Sequence, residues 1–91
     1  MVAAIWKDVS SYSKDGPRIP TAWQISLPEG FRICVVQNHR DYPGKWVLHC
    51  EPFFNTYLLK EVSTAEEAQH LALFKVKSLM KRMCTFLEGL E

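Results

Sequence analysis

The residues of this 91-residue chain with the most chemistry to offer are three histidines, His39, His49 and His70, and three cysteines, Cys34, Cys50 and Cys84. A nucleophilic thiol needs an imidazole within hydrogen-bond reach and a third group that orients the ring. His49 beside Cys34 or Cys50 is the candidate pair. On a strand, however, His49 points away from Cys50, and no residue is spaced to act as the orienting group. The cysteines form no CxxC pair and are odd in number, which points away from a disulfide framework or a zinc site and toward small apolar core residues. Asp8, Asp15, Asp41, Glu51, Glu61, Glu66 and Glu67 lack the dense spacing of a calcium loop or of an acid–base pair. The phosphate-loop, dinucleotide, zinc-protease and hydrolase signatures are all missing. The expectation is a chain with no catalytic residue, no metal and no cofactor.

Residues suited to contact rather than catalysis fall in two places. The stretch Asn38–Lys45, NHRDYPGK, reads as a polar connection bent at Pro43-Gly44, and it carries His39, Arg40, Tyr42 and Lys45. Tyr and Arg are over-represented among the residues that dominate protein interfaces. The second place is the outer side of a C-terminal helix, where Leu71, Phe74, Lys77 and Lys81 come together at 100° per residue. Phe74 either packs beneath a loop or stands as an exposed aromatic ringed by cations.

These residues need elements to hold them. The segment from Ser63 to Leu90 opens with Ser63 as an N-cap and Glu66 three residues on as a capping-box partner, and Gly89 marks its stop. Ala65, Ala68, Ala72, Val76, Leu79, Met80, Met83, Phe86, Leu87 and Leu90 share one stripe, small at its start and large at its end. This predicts a helix over 63–88. Upstream, Trp23, Ile25 and Leu27 alternate with Ala22, Gln24 and Ser26, which is a half-buried strand. Phe31 to Gln37 carries apolar residues on both faces, as a central strand does. Trp46 to Glu51 follows, ended by Pro52, and Thr56 to Lys60 offers a fourth strand. If the middle hairpin closes symmetrically, Cys34 and Cys50 become cross-strand neighbours. The fold class is α+β, an antiparallel sheet of three to four strands on one long C-terminal helix. Residues 1–20 read as an irregular N-terminal segment with a short edge strand around Ile5–Val9, residues 21–60 as a meander, and the whole of 1–91 as a single domain.

A helix of two dozen residues is about 36 Å long, whereas strands of six or seven residues span about 20–23 Å. The sheet cannot cover the whole stripe. Met80, Met83, Phe86, Leu87 and Leu90 are left over, to be covered by residues 1–20 or by a second chain, so self-association is expected.

Composition narrows the classes further. Apolar residues make up 47% and charged residues 23%, which excludes a disordered chain. The net charge of +1 weighs against a dedicated duplex binder. The opening MVAAIWKDV has no basic leader before a long apolar run, so neither a signal peptide nor a membrane span is expected, and the location follows as cytoplasmic.

The segment from Gly44 to Val76, with GKWVLHC, a polar break, YLLKEV and then STAEEAQHLALFKV, resembles small proteins of phages and mobile elements. Some anti-CRISPR inhibitors share a meander followed by a helix that opens Thr/Ser-x-Glu-Glu-Ala. The resemblance covers about a third of the chain, and the shared positions are structural ones. It implies a non-enzymatic inhibitor that occludes a surface of a host or defence complex. The sequence thus reads as a small interaction protein that binds a protein partner. The alternative is a nucleic-acid binder using Arg40, Lys75, Lys77, Lys81 and Arg82.

Overall fold

The computed structural model describes residues 5–12, 16 and 19–90. Its elements are β1 (Lys7–Asp8), β2 (Ala22–Ser26), β3 (Arg32–His39), β4 (Tyr42–Cys50), β5 (Phe54–Leu59) and α1 (Ala65–Glu88), with a tight turn at Pro28–Gly30 between β2 and β3 in which Glu29 is left-handed at φ +64°. The strands form one antiparallel sheet in chain order, β1-β2-β3-β4-β5, and α1 packs on β3, β4 and β5. The fold class is therefore the α+β layer expected, with five strands rather than three to four.

The fifth strand is β1, which falls within the short edge strand expected around Ile5–Val9 and is confined to Lys7–Asp8. It exists because Lys7 and Asp8 pair with Gln24 and Trp23, and because the Ser10 hydroxyl accepts the Thr21 and Ala22 N–H groups at 2.8 and 2.9 Å. Residues 5–12 thus run along β2, not over the end of the helix. Of the irregular segment expected over residues 1–20, residues 1–4, 13–15 and 17–18 lie outside the described residues.

The middle hairpin corrects two expectations. Its turn is the pair Arg40-Asp41, so Tyr42, Pro43, Gly44 and Lys45 belong to β4 and not to an eight-residue loop. The Asp41 N–H donates to His39 Nδ1 at 3.1 Å and tightens the turn. Gly44 adopts φ +75°, a conformation that glycine takes at no steric cost, within the register shift that follows Gln37. The pairing also sets Cys34 opposite His49, while Cys50 lies opposite Phe54. Cys34 and Cys50 therefore belong to opposite faces of the sheet, because the odd and even positions of a strand alternate.

One face carries the core. Ile33, Val35, Trp46, Leu48, Cys50 and Leu59 are buried with Ala68, Ala72 and Val76 of the helix, and Trp23, Ile25 and Leu27 pack against them. The alanines put no side chain between helix and sheet beyond a methyl group, so the backbones approach closely. The indole N–H groups of Trp23 and Trp46 are buried with no hydrogen-bond partner among the described residues. Each costs about 1–3 kcal/mol of desolvation, which the packing of the rings must offset.

At its start α1 is capped by Thr64, not Ser63. The Thr64 hydroxyl accepts the Glu67 N–H at 3.2 Å and lies 3.2 Å from the Glu67 carboxylate. Ser63-x-x-Glu66 and Thr64-x-x-Glu67 both satisfy the capping pattern, so the local sequence is degenerate by one residue. The helix ends at Glu88, and Gly89 serves as C-cap at φ −80°, in right-handed rather than left-handed conformation.

Close approach at the alanines makes a sharp prediction. Ala72→Leu should destabilise the fold by about 1–3 kcal/mol through overpacking, measured by urea unfolding. A cost below a few tenths would show that helix and sheet are not in contact there.

Candidate functional site

Three surfaces bear on function. The first is the sheet face turned away from the helix, where Gln24, Gly30, Phe31, Arg32, Cys34, His49 and Glu51 line an open cleft of about 380 Å³. Above it, Val36, Val47 and Leu58 lie side by side in register, and Val47 is completely buried although it faces away from α1. The cleft brings Cys34 and His49 together as direct cross-strand partners. Thr56, at φ +55° in the β4–β5 register shift, donates its N–H to His49 Nδ1 at 3.2 Å. A neutral imidazole that accepts at Nδ1 carries its proton on Nε2. The ring therefore presents a donor, not a base, to anything else nearby. Burial, then the neighbouring His39 ring 5.7 Å away, holds His49 below the ordinary imidazole range, against the opposing charge of Glu51. Burial pushes the Cys34 thiol up, with Arg32 opposing, and its Sγ contacts Gln24 Oε1 at 3.5 Å. A thiol and a neutral imidazole result, the reverse of an activated thiolate–imidazolium pair.

The second surface is the hairpin tip. Arg40 and Lys45 are exposed, but His39 and Tyr42 are half-buried, their rings 6.4 Å apart. Arg40 and Asp41 stand 3.8 Å apart as an exposed ion pair. Much of the chemistry expected of this loop is thus used within the strands themselves.

The third surface is the helix. Lys75 lies over the Tyr57 ring at 5.5 Å, and Leu71 is half-buried beside it. Phe74 is 64% exposed, so it does not pack beneath a loop, and Lys77 and Lys81 are exposed near it. Burial ends at Val76. Every residue from Met80 to Leu90 is exposed, Met83, Phe86, Leu87 and Leu90 among them. The helix runs from the Leu59 end of β5 toward its Phe54 end, because Lys75 sits against Tyr57 after Thr64 has followed Leu59. It therefore leaves the sheet where β3 begins and β4 ends. Phe31 and Phe53 stand at that edge, with ring centroids 6.1 Å apart. The hairpin tip lies at the opposite end of the sheet, so the two groups of candidate contact residues do not form one surface.

The broad apolar stripe conceals a narrower signal. Ala65, Gln69, Ala72, Val76, Leu79, Met83, Phe86 and Leu90 are spaced alternately four and three residues apart. That is a heptad seam, the pattern of a helix that packs on another helix. Its first half is occupied by the sheet and its second half by nothing in this chain's described residues. Counting intervals instead of stripe width would have found it.

Among the described residues no three His, Cys, Asp or Glu side chains converge as a metal site would require, and no helix is long and apolar enough to cross a membrane. Comparison of the chain with protein-family models, with curated proteins and with solved structures yields no match.

The His49 environment carries a pH signature. Its folded pKa is lowered, so the unfolded chain binds this proton more readily, and stability rises with pH. The contribution is present above the ordinary value of about 6.5 and is lost as the pH falls through the lowered folded value. His49→Gln should flatten this dependence in acid-side unfolding curves, and the His49 ring should titrate below the free imidazole by NMR. An unshifted titration would contradict the placement.

Proposed function

We propose that this chain is a small non-enzymatic binding module whose contact element is the projecting C-terminal half of α1. The observation that carries the reading is the uninterrupted exposure from Met80 to Leu90 of a segment whose seam is apolar. Fully burying a side chain of the Leu, Met or Phe type contributes about 1.5–3 kcal/mol, so a stretch that displays five of them stands ready for a partner. A helix laid against a protein surface in this way reads as anchors at three- and four-residue spacing. Such binding occludes the surface it covers, the mode of action that the likeness to phage inhibitors implies.

The basic residues Lys77, Lys81 and Arg82 lie on the same projecting segment, which keeps nucleic acid as the outcome to be distinguished. Affinity capture of the tagged chain from a native lysate, with and without nuclease, separates the two. The expected result is a stoichiometric protein that survives nuclease and is lost with the double variant Met83→Asp, Leu87→Asp. Far-UV circular dichroism of that variant should keep the sheet signal. Partners that vanish with nuclease alone, and weaken steeply with salt, would move the function to nucleic acid. Phe74→Ala should alter stability by no more than about 0.5 kcal/mol, as expected of an exposed side chain.

A further inference from the structure

We infer that the projecting segment is closed by a second copy of this chain, with the two helices antiparallel; the inference rests on the reading of that segment as a contact element and names its partner. Four observations lead there. The heptad spacing calls for a helix as the partner. The free seam is also self-complementary. In an antiparallel pair centred between Cys84 and Thr85, Leu79 meets Leu90 of the second copy and Met83 meets its Phe86, so every layer joins two large apolar side chains. Met80 falls beside the second copy's Leu87 on one flank, again apolar against apolar.

Charge selects the direction. A helix C-terminus carries partial negative charge, and α1 has no basic residue in its last turn to complement it. In the antiparallel register, Arg82 comes level with the last turn of the second copy, beside its Gly89 C-cap and its unpaired carbonyls. In a parallel pair Arg82 would instead lie beside the second copy's Leu87, a cation against an apolar side chain.

Space selects the same direction. The seam of residues 79–90 continues the face that Ala68, Ala72 and Val76 turn to the sheet. A partner helix therefore lies as a continuation of the sheet layer. In a parallel pair the second sheet would have to occupy the position of the first. In the antiparallel pair it sits beyond Leu90, and the end of each helix reaches the sheet edge of the other copy, where Phe31 and Phe53 are both 40% exposed.

Pairing along 79–90 covers about 17 Å of each helix, which belongs with interfaces below about 1,200 Å². The dimer should accordingly dissociate on dilution. Sedimentation equilibrium of the full chain, from roughly 1 μM to several hundred μM, should show the mass rising from one chain to two. Phe86→Asp should hold it at one chain, and Arg82→Glu should weaken the dimer about tenfold by removing the cation facing the helix end. Should Phe86→Asp lose helix signal, Arg82→Glu decides, since it changes only an exposed side chain. A mass of one chain throughout the range overturns the inference, as does a dimer indifferent to Phe86→Asp or one that Arg82→Glu leaves unchanged or tightens. A chain that stays monomeric yet captures a different protein through Met83 and Leu87 would overturn the second copy and leave the binding module standing. A monomer that captures nothing overturns both.

Discussion

The structure depends on one contact, the close seating of Ala68, Ala72 and Val76 against Ile33, Val35 and Leu48. Small residues on the helix let the sheet's own side chains fill the layer between them, and all of these residues are buried. Close seating has a geometric consequence. A helix held flat against a short sheet runs out of sheet before it runs out of residues, and α1 does so after Val76. The apolar side chains grow larger just where the sheet ends. Alanine to methionine, phenylalanine and leucine is a progression from a surface that receives the sheet to one that no described residue covers.

Much of this was legible in the sequence because it follows from periodicity and length. The helix, its stop at Gly89, the alternation of β2 and the two-sided burial of β3 are set by local patterns. So is the shortage of sheet, which needs only 1.5 Å against about 3.3 Å of rise per residue. What escaped depended on choices between nearly equal local options. Ser63 and Thr64 each head an acceptable capping box. Pro43-Gly44 is a strong bend signal, yet the chain bends at Arg40-Asp41 and absorbs Gly44 as a strand irregularity. That shift moves the strand register and places His49, not Cys50, opposite Cys34. β1 was legible as a short edge strand around Ile5–Val9, but its bounds at Lys7–Asp8 follow from pairing with β2 and from Ser10, neither of which leaves a periodic trace in two residues.

The same register explains why the cleft reads as structural chemistry. Cys34 and His49 meet, as a nucleophile pair must, but the Thr56 N–H takes the imidazole lone pair and burial keeps the thiol protonated. His49 acts as an acceptor that ties the β5 irregularity to β4. The exposed large apolar residues of the helix lie elsewhere, at Phe74 and along its projecting end. At the hairpin tip, which looked equally suited in sequence, the His39 and Tyr42 rings are half-buried.

Amide hydrogen exchange along α1 at two protein concentrations tests the central claim most directly. Opening free energies differ between segments according to how much packing covers them. If residues 80–90 project and wait for a partner, their amides exchange far faster than those of Ala68–Val76 in dilute solution. At high concentration they should gain protection while Ala68–Val76 stay unchanged. Equal protection of both halves at every concentration would mean that the C-terminal turns are packed on their own chain, and the projecting contact element would be lost with it.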